Sequence, residues 1–390
     1  VVLFRRGSFY LKLQPSNTFE MFKIIKRIAL VLALIVVVIS IGVTLFVSLA
    51  PQFGAKPEGE DLIRIKQSEN FQNEEFINII ETSMELDLSK LPDLMQSLLF
   101  PPKGKNPAKL LPTKWEEGNS TYIDSLAYIT WYGHSAVKLE IDGKTILLDP
   151  MLGSASAPVS FMTQRFGYQE PIDFSAIGDI DAIIISHDHY DHLDHESILK
   201  LKDKTKHFYT ALGVGSHLKH WGVPAEKITE LDWWQSADFE GVKFTAAPSR
   251  HFSGRAITDR NKTQWASWIV KGENQNIYFS GDGGYGPHFK QIGEKFGPFD
   301  LAMMENGQYN EQWAQIHMMP EQSIQAGIDV KGKVLMPIHW GAFDLAPHLW
   351  QDPIVRFTAK AQELNQSFVT PVIGERFAVG VDTPVHKWWD

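Results

Sequence analysis

No cysteine occurs among the 390 residues. Disulfides and thiolate ligands are thereby excluded, so any metal must be held by histidine, carboxylate, backbone or water. Positive charge is also in short supply, with 37 Lys and Arg against 46 Asp and Glu and a net charge of −9. Phosphate-backbone binders carry clustered excess Lys and Arg, so nucleic acid is not an expected partner. Internal repeats and low-complexity tracts are missing as well. Apolar residues make up 44% of the chain and aromatic residues 12%, which is ample for a sizeable core. By length the chain fits two or three domains, or one large α/β domain with extensions.

The densest chemistry lies in Ser186-His187-Asp188-His189-Tyr190-Asp191-His192, directly after the apolar run Ile183-Ile184-Ile185. In an extended segment alternate residues face the same way, so His187 and His189 can converge on one cation. A turn after Tyr190 would bring Asp191 and His192 towards a second. Imidazole and carboxylate without sulfur suit zinc or another first-row divalent metal. The bland alternative, a surface loop that happens to be rich in histidine, sits badly behind a buried-strand pattern.

Residues 28–50 carry no charge and follow Lys23, Lys26 and Arg27. About 20 apolar residues cross a bilayer core as a helix. The upstream basic residues place residues 1–27 in the cytoplasm and the bulk of the chain on the periplasmic or extracellular side. Ser48-Leu49-Ala50 also resembles a small-x-small cleavage site, but a signal core usually runs about 7–15 residues, which favours an uncleaved anchor. Met21 fits an initiator better than residues 1–20, which read as upstream translated sequence. Residues 51–120 read as an extension packing on a catalytic body at 121–390. Within the extension Leu86, Leu88, Leu91, Leu94, Met95, Leu98 and Leu99 recur near helical spacing. They are expected to pack on the catalytic body or to form an apolar lip at the membrane.

From about Tyr128 short strands alternate with turns. Residues 136–141 alternate, Asp142-Gly143 makes a hairpin turn, and residues 145–148 return. Residues 182–185 read as a buried strand, and Asp194 as the cap of a helix running to Lys200. Further strands are expected at 242–246, 267–270, 277–280 and 334–338, with a helix at 322–328. This pattern is that of a layered α/β architecture with polar residues gathered at strand ends. Three such ends carry His251, Asp282 (in Ser280-Gly281-Asp282-Gly283-Gly284) and His339. Singly, each is more often a cap or a satisfied polar group. As an ordered set behind the histidine loop they complete two sites: His187, His189 and His251 for one, Asp191, His192 and His339 for the other. Asp282 would bridge the two.

The ordered set resembles the metallo-β-lactamase superfamily across roughly residues 120–380. Within it the chain is similar to the N-acylphosphatidylethanolamine-hydrolysing phospholipase D family and its bacterial relatives. Trp131-Tyr132-Gly133-His134-Ser135, Leu148-Asp149-Pro150, the histidine loop, Gln264-Trp265-Ala266-Ser267-Trp268, Phe279-Ser280-Gly281-Asp282-Gly283-Gly284-Tyr285 and Ile338-His339-Trp340-Gly341 carry the likeness. The resemblance implies an αββα sandwich, preceded here by a transmembrane helix and extension, with a site for two Zn2+ at one edge of the paired sheets. It also implies a possible homodimer. The spanning segment and the loop Glu305-Asn306-Gly307-Gln308-Tyr309 depart from the animal enzymes, which leaves substrate choice the least secure inference.

These residues carry the expected chemistry. Paired divalent ions acidify a shared water and clamp phosphate oxygens. Asp191 would accept a hydrogen bond from the nucleophile, and His317 or Tyr190 would assist the leaving oxygen. His134 and Asp149 would stand behind the ligands, Asp149 orienting a histidine. The superfamily's di-iron members usually place an acid where His189 stands, which disfavours redox chemistry. The expected function is hydrolysis of a phosphodiester, with a phospholipid as substrate and the membrane as partner. A carbon-ester hydrolase such as a lactonase is the first alternative, and a non-catalytic metal-bound binding module the second.

Overall fold

The structure, a computed structural model, describes residues 16–83, 89, 92, 95, 96, 100–115, 123 and 125–390. The helix expected from the leucine spacing at 86–99 lies largely outside the described residues. The chain divides into two compact units, Val1–Ala50 and Pro51–Asp390.

Among its described residues the first unit contains one helix, α1 (Ser16–Leu49). Its segment Glu20–Leu49 holds an 18-residue window with a mean hydropathy of 3.1 and is long and apolar enough to cross a membrane. The helix starts well before the apolar run, because the stretch holding Lys23, Lys26 and Arg27 contains no glycine or proline to stop it.

The second unit opens with α2 (Gly59–Ile65) and a small hairpin, β1 (Phe71–Gln72) and β2 (Glu75–Phe76). Then follow β3 (Tyr128–Trp131), β4 (Val137–Ile141), β5 (Lys144–Leu148), β6 (Ile180–Ile185), α3 (His195–Leu201), β7 (Thr205–Ala211), α4 (Gly215–His220) and β8 (Ile228–Leu231). The second half runs β9 (Ser236–Phe239), β10 (Val242–Ala247), β11 (Ser267–Lys271), β12 (Asn276–Phe279), α5 (His288–Lys295), β13 (Phe299–Glu305), α6 (Pro320–Asp329), β14 (Gly332–Ile338), α7 (Asp352–Glu363) and β15 (Arg376–Ala378). One sheet has the order β15-β3-β4-β5-β6-β7-β8, the other β14-β13-β12-β11-β10-β9.

The period-2 rule explains how the layers meet. On β11, Trp268 and Val270 join the core shared with the first sheet, whereas Ile269 faces the other way. On β13, Leu301 and Met303 face inward, and Ala302 and Met304 face the helices. That outer layer buries Phe289 and Ile292 of α5, Ile324 and Ala326 of α6, and Phe357 and Ala361 of α7. The Asp142-Gly143 hairpin forms as expected, with φ of 48° and 72° at its two corner residues. This is the geometry of a turn that matches strand twist. β6, β7 and β8 run parallel, as do β12, β13 and β14. The loops leaving β6, β10, β12, β13 and β14 carry the chemically interesting residues, at the carboxyl ends where α/β sheets characteristically place their sites.

Asp194 caps α3 and thereby ends the histidine loop, its carboxylate accepting from Glu196 N at 3.2 Å and Ser197 N at 2.9 Å. Asp194→Ala should lower stability by about 1 kcal/mol, read as a lower urea midpoint, with metal content retained.

Candidate metal centre

The loop after β6 turns sharply, His192 N and Leu193 N both bonding to His189 O. His187 and His189 therefore reach one spot while Asp191 and His192 reach another. His187 Nε2 lies 2.9 Å from His189 Nδ1, which lies 3.2 Å from His251 Nε2. Tetrahedral zinc with bonds of about 2.0–2.1 Å separates its nitrogens by about 3.3 Å, so the triangle is of the right size for one ion. Beside it Asp191, His192, His339 and His134 form a second group, their ligating atoms within 4.8 Å of one another. Asp282 stands between them. Its Oδ2 is 3.1 Å from His192 Nε2, 3.9 Å from His187 Nε2 and 3.8 Å from His251 Nε2. Its Oδ1 is 3.1 Å from His339 Nδ1.

The far side of each ring is held. His192 Nδ1 donates to Asp149 Oδ2 at 2.7 Å, and Asp149 also accepts from Ser186 N at 2.7 Å. His251 Nδ1 donates to Ile316 O at 3.0 Å, and His187 Nδ1 lies 2.9 Å from Ser186 Oγ. Such outer bonds fix the tautomer and aim the inner lone pair. His134, Asp149 and His339 all adopt positive φ, at 54°, 40° and 67°. This conformation costs energy in non-glycine residues and concentrates at functional sites. Two backbone bonds lock it, His339 N to His134 O at 2.9 Å and His134 N to Trp340 O at 2.8 Å.

A cation fits this donor set. His192 Nε2 and Asp282 Oδ1 are buried and make no hydrogen bond among the described residues, a costly state for polar atoms unless something else engages them. Burial holds His187, His251 and His339 well below the usual imidazole range, and His189 down at about 4. They are therefore neutral, which is the form that ligates metals. Burial also lifts Asp282 to about 7. For Asp191, burial is outweighed by His192, His134 and His339, which hold it well below the carboxylate range.

All seven residues expected as ligands thus converge. His134 Nε2 touches Asp191 Oδ2 at 2.8 Å, and Asp149 holds His192. His317 is also at the site, its ring 5.4 Å from that of His339 and nearly parallel to it. Tyr190 is turned elsewhere. Its hydroxyl donates to Arg255 O at 2.7 Å and its ring lies 4.1 Å from the Arg255 guanidinium carbon.

Sequence reasoning missed Glu305. Fully buried at the end of β13, it pairs with His317 Nδ1 and accepts from Gly283 N at 3.1 Å. Burial raises its carboxyl well above the usual range. A lone acid closing the apolar run Leu301-Ala302-Met303-Met304 was the available signal. Asn78 of the extension was missed as well, and it brackets the His251 backbone with bonds of 3.0 Å and 2.8 Å. A cavity of about 250 Å³ opens on the cluster, with His189, Asp191, Asp282, His317 and His339 at its base and Phe252, Trp313, Ile316 and Leu345 among its walls.

A model of the beta-lactamase superfamily domain matches residues 144–340. An uncharacterized protein of Mycobacterium tuberculosis is 39% identical over 329 residues, covering 83% of this chain and 88% of its own. The N-acyl-phosphatidylethanolamine-hydrolyzing phospholipase D 1 of Caenorhabditis elegans is 30% identical over 271 residues, 65% of this chain and 76% of its own. Among solved structures, a metallo hydrolase from Ignicoccus hospitalis matches with a TM-score of 0.52 at 20% identity, covering 66% of this chain and all of that one. The fold, the site geometry and these relatives lead to one conclusion: the chain belongs to the metallo-β-lactamase superfamily of metal-dependent hydrolases, with N-acylphosphatidylethanolamine-hydrolysing phospholipases D among its homologues.

Proposed function

We propose that the protein is a membrane-anchored dinuclear zinc phosphodiesterase that removes a phospholipid head group in phospholipase D fashion, with N-acylphosphatidylethanolamine-like lipids as the substrate class. The observation that carries this reading is Asp282, which stands between the two ligand groups, its Oδ2 3.1 Å from His192 Nε2 and 3.9 Å and 3.8 Å from His187 and His251 Nε2, its Oδ1 3.1 Å from His339 Nδ1. His187, His189 and His251 would hold one ion and Asp191, His192 and His339 the other. Two divalent ions in such a set lower the pKa of a shared water and neutralise charge on a phosphoryl group. The phospholipase D relative and the largely apolar cavity walls support a lipid substrate over a sugar phosphate. The basic residues ahead of the apolar helix put residues 1–27 in the cytoplasm and the extension (51–120) and catalytic body (121–390) across the membrane.

The chain's own residues divide the remaining work. Asp149 accepts a hydrogen bond from His192 Nδ1 and so aims Nε2 towards the site. Asp191, kept ionised by the surrounding histidines and steadied by His134, accepts a hydrogen bond from the attacking water. His317 lines the cavity with Nδ1 on the Glu305 carboxyl; burial lowers His317 and keeps Glu305 protonated, so Glu305 passes its proton to Nδ1 as Nε2 hands its own to the leaving oxygen. Tyr190 has no part in that transfer, because its hydroxyl is committed to the Arg255 carbonyl. Water oxygen bonds to phosphorus, the bond from phosphorus to the head-group oxygen breaks, and phosphatidic acid and a free alcohol result.

Purified protein should contain about two zinc ions per chain, and Asp282→Ala should lose most of them, both read by elemental analysis. Full occupancy with undiminished turnover in that variant would sink the dinuclear reading. His317→Gln should keep its metal but lose about 10²–10⁴-fold in kcat, the usual worth of a general acid; a loss confined to KM would remove His317 from proton transfer. In detergent micelles, N-acylphosphatidylethanolamine should yield phosphatidic acid. Diacylglycerol as product, or efficient lactone opening without phosphodiester cleavage, would replace the proposed reaction.

A further inference from the structure

The stretch that follows α1 holds two apolar-tipped loops. Gln52 comes three residues after Leu49, the last residue of the helix, and a chain covers at most about 3.5 Å per residue. If α1 spans a bilayer, as the function proposed above requires, Gln52 lies within roughly 11 Å of where the helix leaves it. Gln52 is bonded to both loops: its Nε2 donates to Pro158 O at 2.7 Å, and its carbonyl accepts from Arg255 Nε at 3.0 Å and Nη2 at 2.7 Å. Lys56 then donates to Thr258 O at 2.8 Å.

Each loop is braced from within and carries bare hydrocarbon at its tip. Ser156 N bonds to Thr163 O at 3.1 Å, closing a loop in which Phe161 is 78% and Met162 51% exposed. Asp259 Oδ1 accepts from Arg255 N at 3.1 Å and Ala256 N at 2.7 Å, a turn that leaves Ile257 wholly exposed. Single exposed apolar residues are ordinary. Here they cap two ordered loops, and both loops are fastened to the few residues that join the domain to its apolar helix.

We propose that Phe161, Met162 and Ile257 form a docking face for the lipid surface from which α1 emerges, seating the domain on the leaflet beside its anchor. The occupant is the bilayer, because the covalent chain already brings these loops to it. The same face is tied to the metal loop. Arg255 Nη1 donates to Asp188 O at 2.6 Å and Leu193 O at 2.7 Å, so one guanidinium joins Gln52 to both ends of that loop. The Phe53 ring meets Tyr190 edge-on at 6.3 Å. The docking face and the histidine loop are thus joined through a single buried guanidinium.

The absence of cysteine makes the test direct. Full-length Ile257→Cys, Phe161→Cys and, as a control, Val381→Cys (exposed elsewhere on the domain) would each carry one environment-sensitive fluorophore. The proteins would be reconstituted in phosphatidylethanolamine/phosphatidylglycerol vesicles. Labels at 257 and 161 should shift to the blue and be quenched by brominated acyl chains, while the label at 381 stays water-like. Water-like emission at 257 and 161 overturns the docking face. A blue shift that ignores brominated lipid but grows with protein density assigns the face to a second copy of the chain and also overturns it. In a second measurement, Phe161→Asp with Ile257→Asp should cut lipid turnover in vesicles by at least about tenfold, as expected on losing two apolar anchors. Metal content and turnover in micelles should not change. Equal losses in both media would mean a folding defect and count against the proposal. If the wild type cleaves no phospholipid at all, the proposed substrate fails, while the fluorescence result still decides the docking face.

Discussion

The site is governed by the cost of burying a crowd of imidazoles and carboxylates at one sheet edge. Desolvation alone would protonate the acids and strip the histidines of charge. Here it does both selectively: it leaves His187, His251 and His339 neutral and lifts Asp282 towards neutrality. Asp191 escapes only because histidines surround it. Such a cluster keeps its shape because nearly every ring is restrained from behind. Asp149, the Ile316 carbonyl and Ser186 each hold the outer nitrogen of a different histidine, and Ser135 steadies His339 at the nitrogen that also meets Asp282. The inner atoms are left pointing at one another, an arrangement that a divalent cation relieves.

That constraint reaches into the backbone. Three residues at the site, His134, Asp149 and His339, stand in the left-handed region, and strands fix where each of them falls. The reciprocal bonds between the His134 and His339 segments join the loop after β3 to the loop after β14. The two sheets are thus clamped together at the edge where the chemistry is sited. Gly281 and Gly283 serve the same end. A side chain at Gly281 would strike the Ala266 carbonyl at 2.8 Å, and one at Gly283 would strike Ser249 Oγ at 2.3 Å, so Asp282 could not approach from a bulkier loop.

Much of this was legible in the residues because it is local. The H-x-H-x-D-H spacing encodes the two directions of its side chains, Asp142-Gly143 encodes its own turn, and Asp194 announces the helix it caps. Glu305 and Asn78 were not legible, since their meaning depends on partners 12 and 173 residues away, His317 and His251. Tyr190 shows the opposite failure. Its position beside the ligands was correct, but a phenol's role depends on where its hydroxyl points, and Arg255, 65 residues on, takes it.

His217 makes the same point for the extension. Read alone it is an ordinary histidine, yet it accepts from Ala55 N at 3.1 Å and stands 3.3 Å from Asp188, in the middle of the metal loop. Asp188 is further held by Thr263 at 2.8 Å and Gly254 N at 2.7 Å. Gly54, at φ 70°, passes so close that an added side-chain carbon would sit 2.0 Å from the His217 ring. Residues 51–56 are therefore a structural part of the loop they cover. The residues that directly follow the apolar helix in sequence thus brace the histidine loop from behind.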